Sequence, residues 1–297
     1  MAKPLCVMTY NVWLMPPLIT GPANEVLGLD LSPCKRERAR AVAEALPEGV
    51  DVLVLCEAFC DASVALLCGE LARRHGLVHR TRTLGSRWTR ACFGKLLSGG
   101  VVVVSRHPLR NVEEVWFGLA CARDDGFANK GCVRVTVEPY PGTAVHVFAT
   151  HTQAWKSAWC LWARRKQLGI VRRFVGRSPI ASGDVVLVVG DLNVDKFRQG
   201  GAEYRDMLKA LACDDCNPHD DVSFDHVANA LSAGGLSSGG KSELLDYVLV
   251  SSAHRRPAAA AARVVRLVAS KPYRHPKRGD LVDLSDHYPV ICEMDLA

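Results

Sequence analysis

Short apolar runs rich in β-branched residues recur along the whole chain, each of a length that suits a strand. They fall at 5–13, 50–56, 77–83, 100–105, 112–117, 131–137, 144–150, 185–189, 245–251, 262–269 and 288–294. Between some of them the apolar spacing turns helical. Helices are predicted over 35–46, after Ser32-Pro33 and before Pro47, and over 61–75, from the capping-type Asp61 to Gly76. Two more are predicted over 157–175, from Ser157 to Gly176, and over 202–211.

About eleven strands with so few helices do not alternate as βαβ units. The pattern suits an α/β fold in which two mixed sheets pack face to face with helices outside, in one domain over 1–297. No internal repeat is visible. Long loops are expected at 84–98, 120–130, 213–243 and 271–285, and long loops in compact domains often carry function. The stretch SAGGLSSGG at 232–240 is flexible by composition. The alanine run at 257–262 reads as a low-complexity surface insert.

With 297 residues, 48% of them hydrophobic, the chain can bury a large core, and 23% charged residues exclude wholesale disorder. The net charge of +6 is a mild excess that favours an anionic partner or serves solubility. The N-terminus has neither the uninterrupted apolar core nor the cleavage site of a signal peptide. No run approaches the roughly 18 apolar residues of a membrane span. Twelve cysteines without a signal peptide point to reduced thiols and a cytoplasmic location. Cys213-x-x-Cys216 with His219 nearby lacks the second ligand pair of a structural zinc site.

The informative pattern is a polar residue at the end of each of several apolar runs. Asn11 interrupts the first run, Glu57 follows VDVLVLC, and His151 follows AVHVFAT. Asp191 and Asn193 follow VVLVVG, Asp246 opens DYVLVS, and Asp286 and His287 precede YPVICEM. Folding could gather such residues at one rim, where open sheets commonly bind ligands. Glu57, Asp191 and Asp286 with the Asn11 amide are hard oxygen ligands, suited to Mg²⁺ rather than zinc, with Mn²⁺ or Co²⁺ as candidate substitutes. His287 could be a general base and Asp246 could orient it. His151 and Asn193 could donate to phosphoryl oxygens. Singly, each has a plainer reading: a helix-terminal acid for Glu57, a turn for Asp191-Leu192-Asn193, a satisfied surface imidazole for His151 and a strand cap for 285–287.

Taken in order, Tyr10-Asn11-Val12-Trp13, Cys56-Glu57-Ala58-Phe59, Ser98-Gly99-Gly100-Val101, Thr150-His151-Thr152-Gln153-Ala154, Gly190-Asp191-Leu192-Asn193, Leu245-Asp246-Tyr247 and Ser285-Asp286-His287-Tyr288-Pro289-Val290 resemble the endonuclease/exonuclease/phosphatase superfamily over nearly the whole chain. The YNVW, HTQAW and SDHYPV forms are similar to those of neutral sphingomyelinases. So are 125–131 and Ser223-Phe224-Asp225 with Asn229-Ala230-Leu231.

The resemblance implies a four-layer α/β sandwich. It implies Glu57 as central metal ligand with Asn11 beside it, and Asp191 and Asn193 at the metal-bound water or phosphate. It further implies His151 at the phosphoryl group, His287 as acid/base with Asp246 and Asp286 around it, and Lys130 as a phosphate-side cation. The implied reaction is Mg²⁺-dependent hydrolysis of sphingomyelin to ceramide and phosphocholine by a monomer working peripherally at a membrane.

Many secreted members carry an aromatic hairpin just before SDHYPV. Here that stretch, 271–278, is basic with the single aromatic Tyr273, which favours docking to anionic headgroups over insertion. Trp13, Trp155 and Trp159 lie near the motifs and could form an aromatic face for a choline cation, with core packing as the competing use. A nuclease or an inositol phosphatase stays open as an alternative, although no basic stripe interleaved with stacking aromatics is present.

Overall fold

The computed structural model describes residues 3–16, 32–85, 94–234 and 240–296. Its first sheet runs in the order β11-β14-β1-β2-β4-β3, with β1 Leu5–Leu14, β2 Val52–Ala58, β3 His79–Arg80, β4 Val102–Ser105, β11 Ala259–Val264 and β14 Val290–Asp295. The second runs β5-β6-β7-β8-β10-β9, with β5 Arg110–Trp116, β6 Gly131–Tyr140, β7 Thr143–His151, β8 Val185–Asp191, β9 Cys213–Asp215 and β10 Asp246–Ser251. A separate hairpin pairs β12 Val268–His275 with β13 Gly279–Asp283.

The two sheets pack face to face, and the pattern of β1 shows why its apolar run is nearly continuous. Leu5 and Val7 join the core between the sheets, whereas Cys6, Met8 and Tyr10 join a second core on the opposite face. A strand buried on both faces cannot alternate apolar with polar residues. The second core is closed by α1 (Lys35–Ala45) and α2 (Asp61–His75), through Ala39, Val42, Val64, Leu67 and Leu71. On the far side α3 (Ala158–Arg177) and α4 (Ala202–Leu211) cover the second sheet, through Val171, Phe174, Met207 and Leu211. Phe148 meets Phe174 edge-on at 5.3 Å. The result is the expected sandwich of helices, sheet, sheet and helices.

The helices follow their terminal chemistry. α2 ends on Gly76 at φ 68, whose N–H reaches the carbonyls of Leu71 and Ala72, a left-handed stop that glycine adopts without strain. The Ser157 side chain caps α3 by accepting from the Cys160 N–H.

Five expectations are corrected. The alanine run is not an insert: Ala259–Val264 is an edge strand in antiparallel register with β14, with Ala262 buried, so pairing overrides the weak strand propensity of alanine. The loop expected at 271–285 is the β12–β13 hairpin, and the strand expected over 262–269 is split between β11 and β12. The strand expected at 77–83 shrinks to His79–Arg80. Within the loop expected at 213–243 lies the short β9. Residues 86–93 and 235–239, inside the loop at 84–98 and the glycine-rich stretch, lie outside the described residues.

Arg38 ties this frame to its functional rim. The guanidinium is 1% exposed. It donates to the carbonyls of Pro33 (3.0 Å), Val12 (3.0 Å), Trp13 (2.8 Å) and Leu284 (2.9 Å) and to Ser32 Oγ (2.7 Å). It thereby clamps the segments that follow Asn11 and precede Asp286. Arg38→Met removes every donor and leaves buried carbonyls unpaired, so unfolding free energy is expected to fall by about 2–4 kcal/mol in urea denaturation.

Candidate active site

Strand register gathers the polar strand ends. In the second sheet His151 pairs with Asp191 across the parallel β7–β8 ladder, and Asp246 pairs with Asp191 across the antiparallel β8–β10 ladder. Three neighbouring strands therefore bring an imidazole and two carboxylates to one edge. From the facing sheet Asn11, the last residue of β1 before its register with β2 shifts, donates through Nδ2 to Asp191 Oδ2 at 3.0 Å, which bridges the two sheets. Asn11 Oδ1 accepts the Trp13 N–H at 3.1 Å.

The backbone is bent to reach this geometry. The β1–β2 register shifts between Asn11 and Leu14, and Trp13 and Glu57 adopt left-handed φ values of 48° and 54°. Asn193 does likewise at 51°. Non-glycine residues held there store strain, which concentrates at functional sites. At Gly190, φ is 145° and a Cβ would lie 1.8 Å from the Thr150 carbonyl oxygen, so the step from β8 into Asp191 admits only glycine.

His287 closes the cluster. Its Nδ1 lies 2.7 Å from Asp246 Oδ2 and its Nε2 lies 4.0 Å from Asp191 Oδ2. Since a carboxylate only accepts, Nδ1 carries the proton and Nε2 is the nitrogen free to act. Ser223 Oγ donates to the same Asp246 oxygen at 2.7 Å, and the Phe224 ring packs edge-on against the imidazole at 5.2 Å.

On the other side His151 Nε2 stands 3.6 Å from Asp191 Oδ2 and 3.2 Å from Lys130 Nζ. Lys130, expected to serve as a phosphate-side cation, is buried. Its ammonium also donates to Asp125 Oδ1 at 2.7 Å and to the Thr152 carbonyl at 2.9 Å. With its three donors committed it braces His151. Asn193 donates through its backbone N–H to Asp191 Oδ1 at 3.0 Å and through Nδ2 to the Thr152 carbonyl at 3.2 Å.

Burial sets the charge states. It pushes Glu57 up to about 8, helped by the charge of Asp286 and opposed by His287 and the Asn11 hydrogen bond. It pushes Asp191 up to about 7, helped by Asp246, and it raises Asp286. For His287 burial pulls downward, yet Asp246, Asp191 and Asp286 outweigh it and hold the imidazole well above its usual range. Burial, Lys130 and His287 all push His151 well below that range, so it is neutral at pH 7.

Crowded carboxylates that resist ionising are what a cation would relieve. Asp191, Asp246 and His287 present ligand atoms within 4.8 Å of one another and could hold a metal ion. Nδ1 of His287 is already engaged by Asp246, however, and the oxygen-rich side of the cluster, with Glu57, Asn11, Asp191 and Asp286, better fits a hard cation. Asp246 Oδ1 and His151 Nδ1 are buried and without a hydrogen-bond partner, and such atoms call for an ion, a water or a substrate group.

The three tryptophans do not share a face. Arg38 stacks on Trp13 at 5.3 Å, Arg123 on Trp155 at 5.2 Å, and Trp159 pairs with Trp162. α3 begins only at Ala158, past Trp155, whose φ is 69° and whose Nε1 donates to Asp124 Oδ1 at 2.9 Å. Core packing does not describe Trp159 either, since that ring is exposed. Among the described residues Cys213, Cys216 and His219 do not converge as a metal-holding group, and Cys216 lies beside Cys292. The described cysteines are free thiols. Among the described residues no helix is long and apolar enough to cross a membrane.

Sequence reading missed Ser223 and Arg38 as parts of the site. Ser223 stood in a quoted motif without a role, and a buried arginine on a helix has no periodic signature.

A sandwich of this kind with an acid-rich rim and a carboxylate-held histidine defines a class of metal-dependent phosphoester hydrolases. The model of the endonuclease/exonuclease/phosphatase family matches residues 8–287, and the chain belongs to that family. Within it, a phospholipase C of Staphylococcus aureus is 30% identical over 257 residues, 81% of this chain and 74% of that protein. A sphingomyelinase C of Leptospira interrogans is 31% identical over 96% of this chain and 50% of its own length. The crystal structure of sphingomyelinase C from Streptomyces griseocarneus superposes with a TM-score of 0.82 at 31% identity, covering 98% of this chain and 99% of that one. A double mutant of beta toxin from Staphylococcus aureus with bound magnesium ions gives 0.82 at 25% identity, covering 98% and 99%.

Proposed function

We propose that this chain is a Mg²⁺-dependent sphingomyelin phosphodiesterase that releases ceramide and phosphocholine. The observation that carries the reading is the His287–Asp246 pair at 2.7 Å, with Nε2 turned toward Asp191 in a cluster that Asn11 ties to the facing sheet. Glu57, Asn11 and Asp286 would hold the cation, with Asp191 beside it. A bound Mg²⁺ supplies charge stabilisation to the phosphate and to the departing alkoxide.

The protein supplies the rest. His287 Nε2 takes a proton from water as its oxygen bonds to phosphorus, the P–O bond to the ceramide oxygen breaks, the leaving oxygen takes a proton from solvent water, and the imidazolium returns its proton to solvent. Asp246 keeps Nδ1 protonated and the ring aimed, with Ser223 fixing the carboxylate. Neutral His151, braced by Lys130, stands beside Asp191 on the side where a phosphoryl oxygen would bind, and Asn193 orients Asp191 from the next turn.

The protein works peripherally and as a monomer. The free thiols support a reducing, cytoplasmic setting. The hairpin supports electrostatic docking rather than insertion: Tyr273 donates inward to the Asp283 carbonyl while Lys271, Arg274 and Lys277 stay exposed.

Purified protein is expected to hydrolyse sphingomyelin, and lysophosphatidylcholine more slowly, with Mg²⁺ and not with chelator. Cleavage of DNA with neither lipid touched would overturn the assignment.

A further inference from the structure

The basic hairpin offers charge but no exposed aromatic, and two exposed indoles sit side by side elsewhere. Trp159 is 67% exposed and Trp162 42%, yet their rings stack at 5.0 Å with 28° between planes. They occupy one stripe on the first turns of α3, and Lys166, one turn further, sits 5.8 Å over the Trp162 ring. The segment alongside is fastened to the same helix by Gln167 Nε2, which donates to the Ala120 carbonyl at 2.6 Å. That segment presents Leu119 and Phe127 to solvent, with Arg123 stacked on Trp155.

A solvent-facing pair of indoles flanked by cations is poorly matched to water. It suits the interfacial layer of a bilayer, where indole rings sit at headgroup depth and long basic side chains reach the phosphates. The patch is also continuous with the active site. Asp125, in the turn that carries Arg123 and Phe127, accepts the Ala154 N–H at 2.7 Å and the Lys130 ammonium at 2.7 Å, and Lys130 reaches His151. One rigid loop system thus joins the tryptophan face to the group assigned to the phosphate.

We propose that the stacked Trp159–Trp162 face, with Lys166, Arg123 and Phe127, docks this enzyme onto the headgroup layer of a choline-phospholipid bilayer and sets the cleft at the depth of the scissile phosphate. This rests on the sphingomyelinase reading of the cleft. The hairpin adds charge attraction from a different part of the surface. The occupant is a lipid surface rather than a second protein because the face combines indoles with cations, Lys166 and Arg123, for which no ion pair is seen among the described residues, the composition of interfacial anchors.

The test compares the full-length protein with the W159A/W162A double variant on sedimenting vesicles of phosphatidylcholine and sphingomyelin. The variant is expected to lose on the order of tenfold or more in vesicle affinity, with the same loss in kcat/KM on vesicles. Hydrolysis of a short-chain sphingomyelin dissolved below its micelle-forming concentration is expected to stay within about twofold. Wild-type tryptophan fluorescence is expected to be quenched by brominated lipid, and the variant's much less. Equal vesicle binding by the two proteins would overturn the docking assignment, as would a wild-type dimer that the substitutions dissociate. Failure of the wild type on the dissolved substrate would instead strike the phosphodiesterase reading of the cleft, while the binding comparison would still decide the docking face.

Discussion

His287→Ala is expected to lower kcat/KM for sphingomyelin by about 10²–10⁴-fold, the usual worth of a positioned acid/base group, while the protein stays folded. The imidazole is buried against the Phe224 ring, so the rate is compared on variant protein whose fold is checked by circular dichroism. Asp246→Asn separates two roles. The amide cannot act as the carboxylate acceptor that fixes the Nδ1–H tautomer, so the rate falls even though the ring remains. It also removes the nearest of the three charges that raise His287 against the pull of burial. A general base works when neutral, so wild-type activity rises as pH climbs through that raised value. In Asp246→Asn this limb is expected to move to lower pH while the plateau drops. Linkage runs the other way for stability: the pair stabilises the fold fully below the ordinary histidine range and loses that contribution as pH rises through the raised value. A pH–rate profile on a dissolved substrate reads both effects. An unshifted limb in Asp246→Asn, or near-wild-type turnover in His287→Ala, would remove His287 from the mechanism.

Much of this site was legible because sheets translate order along the chain into neighbours in space. Once 144–150, 185–189 and 245–251 are read as strands, the residues at their ends can only be neighbours or strangers, and the β7–β8–β10 register makes His151, Asp191 and Asp246 neighbours. The Asn11–Asp191 bridge was less legible, since it depends on how one sheet lies over the other and no local pattern encodes that. Lys130 shows the limit from another side. Its place near the phosphate came from resemblance, but its three hydrogen bonds are tertiary facts, and they turn an expected free cation into a brace. The alanine run failed for the opposite reason. Its composition carried no strand signal, and only the open edge of β14 made Ala259–Val264 a strand. The tryptophans failed on one boundary: a helix starting three residues earlier would have aligned Trp155 with Trp159, whereas the Ser157 cap leaves Trp159 to pair with Trp162.

Mg²⁺ affinity is expected to rise with pH from about 5 to about 8, by up to about tenfold per pH unit for each proton displaced. In the metal-free protein, burial and neighbouring charge hold Glu57 up at about 8 and Asp191 at about 7. Both are therefore largely protonated near pH 5, and a cation must expel those protons before it can use the oxygens. Because these carboxyls bind protons more tightly folded than unfolded, the metal-free fold itself loses stability as pH rises from the ordinary carboxylate range through the raised values. Mg²⁺ opposes that loss, so the rise in Tm on adding Mg²⁺ is expected to be small at pH 5 and large at pH 8. Glu57→Gln removes a repelled charge together with a ligand. It is expected to raise the metal-free Tm at pH 8 and to abolish most of the Mg²⁺ response, a combination that a merely structural glutamate would not give. Calorimetric titration in two buffers of different ionisation enthalpy counts the released protons directly. A pH-independent affinity with no proton release would mean that the cation binds away from Glu57 and Asp191, and the assignment of the oxygen-rich side of the cleft would fall with it.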